Sequence, residues 1–179
     1  MKLRIHLRGF FWTLLILPAL ISCTTLQSEP IPLASFNENY VEVSFFLDRN
    51  SEKSYLLSAT FTPPEGYHLY SKDIPSMGVD GLGRPTLLEL TANSLLKATG
   101  ELLESVKAQE PDFEPRELFV YPTGAVTLSL PVGLPPDNEW LDDEISVTYM
   151  ACSASQCKPP VVAKIVPVRI PGAGTLDPQ

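Results

Sequence analysis

Two cysteines separated by four small or polar residues are the part of this chain best suited to chemistry. Cys152 and Cys157 flank residues 153–156, with an alternating apolar run before them in 144–150 and a valine-rich run after them in 161–169. This pattern predicts a β-hairpin with one thiol on each arm. Residues opposite each other in an antiparallel pair have Cα atoms roughly 4.5–5.5 Å apart, within the range of about 4.4–6.8 Å that a disulfide needs. The pair is therefore expected to form or break a disulfide with little backbone movement.

The residues beside these thiols predict modest reactivity until a partner protein docks. Thiolate formation and access control the rate of disulfide exchange. Lys158 is the adjacent cation, and neither cysteine begins an obvious helix. Pro159 and Pro160 lack the N–H donors that extend a ladder, which places the pair at an end or edge of a sheet. Closing so short a loop contributes only about 2 kcal/mol through chain entropy, so stability alone is a weak reason for the bridge.

The first 22 residues have the composition of an export signal. Their basic residues are Lys2, Arg4 and Arg8. Residues 9–21 are almost wholly apolar but too short to span a bilayer comfortably, which takes about 20 residues. The segment ends in Leu-Ile-Ser before Cys23, which resembles the bacterial lipobox, and this resemblance implies cleavage before Cys23 and lipidation of its thiol. The alternative is an ordinary signal with a chance cysteine.

A lipidated Cys23 leaves Cys152 and Cys157 to pair with each other in a compartment where disulfides persist. The expected location is the periplasmic side of a bacterial membrane, with the chain held there by its lipid anchor. Residues 24–35 then predict a polar tether between the anchor and the folded domain.

Composition predicts an all-β domain and excludes several functions. The chain has 179 residues, and its 18 Pro and 10 Gly are spread along it, which favours short strands joined by turns. A net charge of −8 makes nucleic acid an unexpected partner. With His6 and His68 as the two histidines and no phosphate-binding loop, neither a histidine-based metal site nor a cofactor is expected.

The folded domain is predicted to span 36–171, followed by a tail at 172–179. Its predicted extended segments are 40–47, 54–62, 67–72, 86–91, 119–121, 126–132, 144–152 and 161–169. Residues 95–109 are ambiguous and are predicted to be irregular or extended, because Gly100 interrupts a helical spacing. Short strands linked by turns at this spacing indicate a β-sandwich.

Four segments along the chain together resemble one known family. The most specific is Tyr149-x-Ala-Cys152-x4-Cys157-x-Pro159-Pro160. The other three, in chain order, are Gly66-Tyr67-His68-Leu69-Tyr70-Ser71-Lys72, Gly83-Arg84-Pro85-Thr86 and Tyr121-Pro122-Thr123-Gly124-Ala125-Val126-Thr127-Leu128. With these segments the chain resembles the N-terminal periplasmic domain of DsbD-type thiol:disulfide interchange proteins over about 36–171.

This resemblance implies an immunoglobulin-like β-sandwich with the cysteine pair at one end, acting as a protein-disulfide oxidoreductase through mixed disulfides. The implied partners are periplasmic thioredoxin-like proteins or a membrane electron transporter acting in trans. The aromatic cap loop that shields the sulfurs in that family has its nearest match in Asp112 and Phe113. Tyr70 and Lys72 are implied to lie near the pair.

Other interpretations stay open for each of these residues. The bridge can be inert, in a structural or interaction lipoprotein. Met150 beside Cys152 also suggests a domain that handles Cu(I), because soft sulfur ligands suit that ion. Phe113 and Tyr70 can be ordinary core aromatics, and Lys72 a solvated surface charge.

Overall fold

The computed structural model describes residues 29–49 and 54–176, and within them the chain is almost entirely β-structure. The strands are β1 (Ile31–Glu38), β2 (Val41–Arg49), β3 (Tyr55–Thr62), β4 (His68–Leu69), β5 (Leu87–Leu90), β6 (Lys97–Ala98), β7 (Leu103–Glu104), β8 (Val126–Gly133), β9 (Trp140–Tyr149), β10 (Ala151–Cys152) and β11 (Val161–Pro171). One short helix, α1 (Ala173–Leu176), follows the last strand. None of the helices in the described ranges is long and apolar enough to cross a bilayer.

Two antiparallel sheets enclose the core. The first has the strand order β1-β2-β3-β8-β6, with β7 also paired to β8, and the second has the order β11-β9-β5. Apolar side chains from both sheets form one continuous buried cluster. The expected all-β fold, with two sheets packed as a β-sandwich, is therefore confirmed. A further two-stranded sheet joins β4 to β10 beside the sandwich.

Alternation of buried and exposed residues decides which face of each strand turns inward. In β2 the buried residues are Val41, Val43, Phe45 and Leu47, and in β8 they are Val126, Leu128, Leu130 and Val132. This two-residue period is the one by which successive side chains of a strand point to opposite faces. Each such side chain contributes about 1.5–3 kcal/mol when it is fully buried.

The core reaches the end of the sandwich that carries the cysteines. Phe61 of the first sheet meets Tyr149 of the second edge to face, with ring centroids 5.6 Å apart. The Tyr149 hydroxyl also donates a hydrogen bond of 3.1 Å to the Glu38 carbonyl. The last residue of β9 is therefore fixed from both sheets, immediately before the chain enters the cysteine segment.

The predicted tether ends earlier than expected, because the folded domain begins before residue 36. Strand β1 starts at Ile31 and pairs with β2 from Ile31↔Leu47 to Glu38↔Val41. Ile31, Leu33 and Ala34 pack against the core. The prolines in this segment obscured the strand, but an edge strand tolerates proline because one of its sides has no ladder to donate to.

Three of the predicted extended segments are interrupted or only partly regular. Within 67–72 the regular strand is His68–Leu69. Within 119–121 Val120 forms isolated bridges to Tyr70 and Gln109 instead of a strand. The segment 144–152 divides at Met150, which separates β9 from β10. The irregular character expected for 95–109 is confirmed, since β6 and β7 are two-residue contacts with β8.

Candidate functional site

The cysteine segment leaves the main hairpin before it reaches the first cysteine. The ladder between β9 and β11 stops at Tyr149↔Val161, after a register shift between Val161 and Lys164. Ala163 within that bulge has a positive φ of 47°. A bulge bends the strand that carries it, which here is β11. The chain that leaves β9 pairs next with β4. The hairpin prediction was therefore correct for β9 and β11 but wrong in carrying their ladder to Cys152.

Cys152 and Cys157 form a disulfide, and they differ sharply in exposure. Their Cα atoms are 4.0 Å apart, and they face each other as an isolated antiparallel bridge. Cys152 is 2% exposed, whereas Cys157 lies on the surface. Cys152 is buried because β10 pairs it with His68 of β4. An approaching thiol therefore meets Cys157 first.

The loop between the two cysteines is closed by its own hydrogen bonds. The Ser153 amide donates to the Gln156 carbonyl at 2.8 Å, and the Lys158 amide donates to the Ala151 carbonyl at 2.8 Å. The Ser153 hydroxyl accepts a hydrogen bond of 3.2 Å from the backbone amide of Gln156. These bonds do not involve sulfur, so the turn has support beyond the covalent bridge.

A cleft of about 430 Å³ opens beside the disulfide. Its lining includes both cysteines, His68, Tyr70, Asp112, Phe113, Glu114 and Met150. The structure thus brings together the cysteine pair and three of the four residues that the family resemblance placed near it.

Lys72 is the exception, and its implied place near the pair stays a prediction. Its ammonium group lies 2.7 Å from the Asp73 carboxylate, and it is not part of the cleft lining. The two-residue period does not carry from Tyr70 to Lys72 because the regular strand ends at Leu69, and the Ser71 amide turns to the Phe119 carbonyl at 2.9 Å.

Phe113 lies on a loop that is braced within itself. The loop's ends are joined at Gln109 and Val120 by reciprocal amide–carbonyl bonds of 2.7 and 2.9 Å. Arg116 donates to the Pro111 carbonyl at 2.8 Å. The Phe113 ring stacks on the His68 ring, with centroids 5.8 Å apart. We call residues 110–119 the cap loop, because Phe113 extends from it into the cleft beside the sulfurs.

His68 is the site residue that sequence reasoning missed. Its ring also meets Tyr70 edge to face at 5.3 Å, and its buried Nε2 has no hydrogen-bond partner within the described part of the chain. Burial lowers the pKa of His68, although the nearby Asp112 carboxylate acts in the opposite direction. The sequence signal that could have identified His68 as a site residue was its position in the segment 66–72, which also contains Tyr70.

Tyr70 serves both the cleft and a small core of its own. It is buried with Ile74, Leu118 and Cys152, and burial raises the pKa of its hydroxyl, which keeps it neutral. Gly83, with φ of 73°, lies directly against its ring: a Cβ there would come within 3.2 Å of Tyr70 Cδ1 and 2.8 Å of Leu118 Cδ1. A glycine is required at this position by close approach as well as by backbone conformation.

Within residues 29–49 and 54–176, no group of three or more His, Cys, Asp or Glu side chains is arranged to hold a metal ion. Met150 packs against the small core that contains Cys152. The Cu(I) hypothesis stays untested, because its thiol ligands are joined to each other in this structure.

Comparison with known proteins shows one similar solved structure. It is the N-terminal domain of DsbD from Neisseria meningitidis in the reduced form, 18% identical, with 80% of this chain and 85% of that chain covered and a TM-score of 0.41. A TM-score this low carries no weight for function. No family model matches the chain, and no curated protein matches it. The family resemblance stated from the sequence therefore stays a prediction.

Proposed function

We propose that this chain is a lipid-anchored periplasmic domain that exchanges disulfides with partner proteins through Cys152 and Cys157. The observation that carries the proposal is the asymmetry of the pair: an exposed Cys157 is bonded to a buried Cys152 at the edge of a cleft. A bridge that serves stability alone gains nothing from such exposure. Disulfide exchange requires it, because a thiolate must reach one sulfur in line with the bond that breaks.

The reaction balances as a two-electron exchange. In the dithiol form, the Cys157 thiolate attacks one sulfur of the partner's disulfide and expels the other as a thiolate. The Cys152 thiolate then attacks the Cys157 sulfur, which re-forms the bridge and releases the partner's remaining sulfur. The partner gains two electrons and two protons, and this domain loses them. Thioredoxin-like proteins, or a membrane electron transporter, are the proposed donors that reduce the bridge again.

The cap loop regulates access in this scheme. Phe113 is 36% exposed and rests on His68 beside the sulfurs, so a docking protein can displace it without disturbing the sandwich. The two acidic residues that flank it, Asp112 and Glu114, also line the cleft. Together they disfavour thiolate formation in the closed state, because a negative charge nearby raises the free energy of another.

Trapping of mixed disulfides tests the proposal. Cys152→Ser retains the exposed Cys157, removes the resolving thiol, and should accumulate covalent complexes with specific periplasmic proteins. Cys157→Ser is the matched control, which retains a thiol of the same kind in a buried position. Equal trapping by both variants, or none by either, contradicts the proposal.

The reduction potential provides an independent measurement. Exchange proteins lie at roughly −120 to −270 mV, whereas inert structural bridges usually lie below about −300 mV. A potential below about −300 mV would favour a structural lipoprotein with an inert bridge instead. Titration of the reduced domain with Cu(I) tests the interpretation that the domain handles copper. A copper-handling domain should bind the ion and lose thiol reactivity.

A further inference from the structure

Two tyrosine rings contact the residue that follows the exposed Cys157. The Lys158 ammonium lies 4.2 Å from the ring centroid of Tyr40 and 5.3 Å from that of Tyr67. We call Tyr40 and Tyr67 the tyrosine clamp. Such contacts attract a cation to the negative face of an aromatic ring. The residue that follows the exposed Cys157 is therefore tied to two elements outside its own loop.

The residue that precedes Cys157 is tied to the same clamp. Gln156 donates a hydrogen bond from Nε2 to the Tyr67 hydroxyl. Beyond Lys158, the Asn39 side-chain amide donates to the Pro159 carbonyl at 2.9 Å. Cys157 thus lies between two anchored neighbours, and none of these anchors uses its sulfur.

Tyr40 is an unusual residue for its position. It is 69% exposed, and it occupies the turn between β1 and β2 with φ of 67°, next to Asn39 with φ of 51°. Two-residue turns of this kind favour Asn-Gly because both residues need positive φ, and a tyrosine there is strained. Neither core packing nor turn geometry accounts for a tyrosine at this place, whereas the contact with Lys158 does.

We propose that Tyr40 and Tyr67 are positioning residues that keep Cys157 opposite Cys152 while the bridge is open. Opening the disulfide removes the covalent tie, and the freed loop would then gain conformational entropy. The clamp limits that gain, so the two thiols stay within reach and the resolving attack by Cys152 remains intramolecular and fast. This inference rests on the proposed exchange function, since an inert bridge would never need to re-form.

Tyr40→Asn separates positioning from stability, because the two effects have opposite signs. Asparagine adopts positive φ readily, so the midpoint of thermal unfolding should stay unchanged or rise. The equilibrium constant for forming the bridge in a glutathione redox buffer should fall roughly two- to fivefold, the value of one exposed cation–π contact. The rate at which Cys152 resolves a mixed disulfide of Cys157 with glutathione should fall by a similar factor.

Lys158→Met and Lys164→Met complete the experiment. Lys158→Met removes the charge held by the clamp and keeps most of the side chain, so combining it with Tyr40→Asn should produce less than the sum of the two effects. Lys164 also lies over an aromatic ring, 5.2 Å from the Phe36 centroid, and it pairs with the Glu38 carboxylate at 2.8 Å. Lys164→Met should leave the glutathione equilibrium unchanged.

An unchanged glutathione equilibrium in Tyr40→Asn, or full additivity with Lys158→Met, overturns the positioning role. Failure of the exchange function would appear elsewhere, as absence of partner complexes with Cys152→Ser. A shift in the glutathione equilibrium without such complexes would retain the clamp and reject the exchange function.

Discussion

The rings of His68 and Phe113 lie nearly parallel, with centroids 5.8 Å apart and 26° between their planes. His68 is also the strand partner of Cys152. A single residue therefore contacts the cap loop with its side chain and the buried cysteine's strand with its backbone. The state of the cap is consequently linked to the surroundings of the sulfurs.

Removing the cap aromatic should speed reaction at the bridge. Phe113→Ala eliminates the stack on His68, and aromatic pairs contribute about 0.5–1.5 kcal/mol, so the open population should rise roughly two- to tenfold. The measurement is the rate at which glutathione attacks the oxidised protein. Phe119→Ala is the matched control, since Phe119 is 42% exposed but lines a different cleft. Equal rates for the two variants would show that Phe113 does not shield the bridge.

Acidification should weaken the closed state through His68. Burial lowers the pKa of His68 below 6.5, so a solvated ring binds the proton more readily than the buried one. The free energy of unfolding that the protein gains by burying a neutral imidazole is fully present above pH 6.5. It is lost as the pH falls from there towards the lowered pKa of His68. Asp112 opposes this effect by attracting the proton, while Tyr70 stays neutral.

His68→Phe keeps an aromatic ring for the stack and removes the titration. Between pH 7.5 and pH 5, the midpoint of thermal unfolding should fall further for the wild-type protein than for His68→Phe. Parallel pH profiles for the two proteins would contradict a buried, neutral His68.

The two thiols should differ in reactivity when each is present alone. Cys152→Ser leaves the exposed Cys157, and Cys157→Ser leaves a residue that is 2% exposed. Alkylation should be faster at Cys157 by on the order of tenfold or more, because a buried thiol reacts only after local opening. In denaturant the two rates should converge. Faster alkylation of Cys152 in the native protein would reverse the order of attack proposed above.

Reduction of the bridge should leave the sandwich folded. The cysteines are five residues apart, and closing so short a loop is worth about 2 kcal/mol in the chain-entropy account. The reduced protein should therefore keep its β-sheet circular dichroism and lose only that much free energy of unfolding in a denaturant titration. Global unfolding on reduction would mean that the bridge is structural.

Membrane attachment should depend on Cys23, which lies outside the described residues. Lipidation at that thiol predicts that Cys23→Ser moves the protein from the membrane fraction to the soluble periplasmic fraction. Ser22→Ala is a control that leaves the thiol in place. Unchanged membrane association of Cys23→Ser would remove the lipid anchor from the proposal.

Local features were predictable, since they depend on residues close together in the chain. The disulfide joins two cysteines across a short turn, and its pairing followed from strand patterns on either side. The all-β fold followed from short alternating runs and frequent turn residues. The start of β1 was missed because Pro30 and Pro32 hide its alternation, and only pairing with β2 makes that segment a strand.

Contacts between distant parts of the chain were decided by the tertiary structure alone. The sequence determined that two thiols would face each other across a turn, because a hairpin is specified by its own residues. It did not determine that Cys152 would be buried against His68, that Phe113 would stack there, or that Tyr40 would meet Lys158. Those contacts join segments far apart in sequence, and they arise because packing two sheets brings separate loops to the same end of the sandwich.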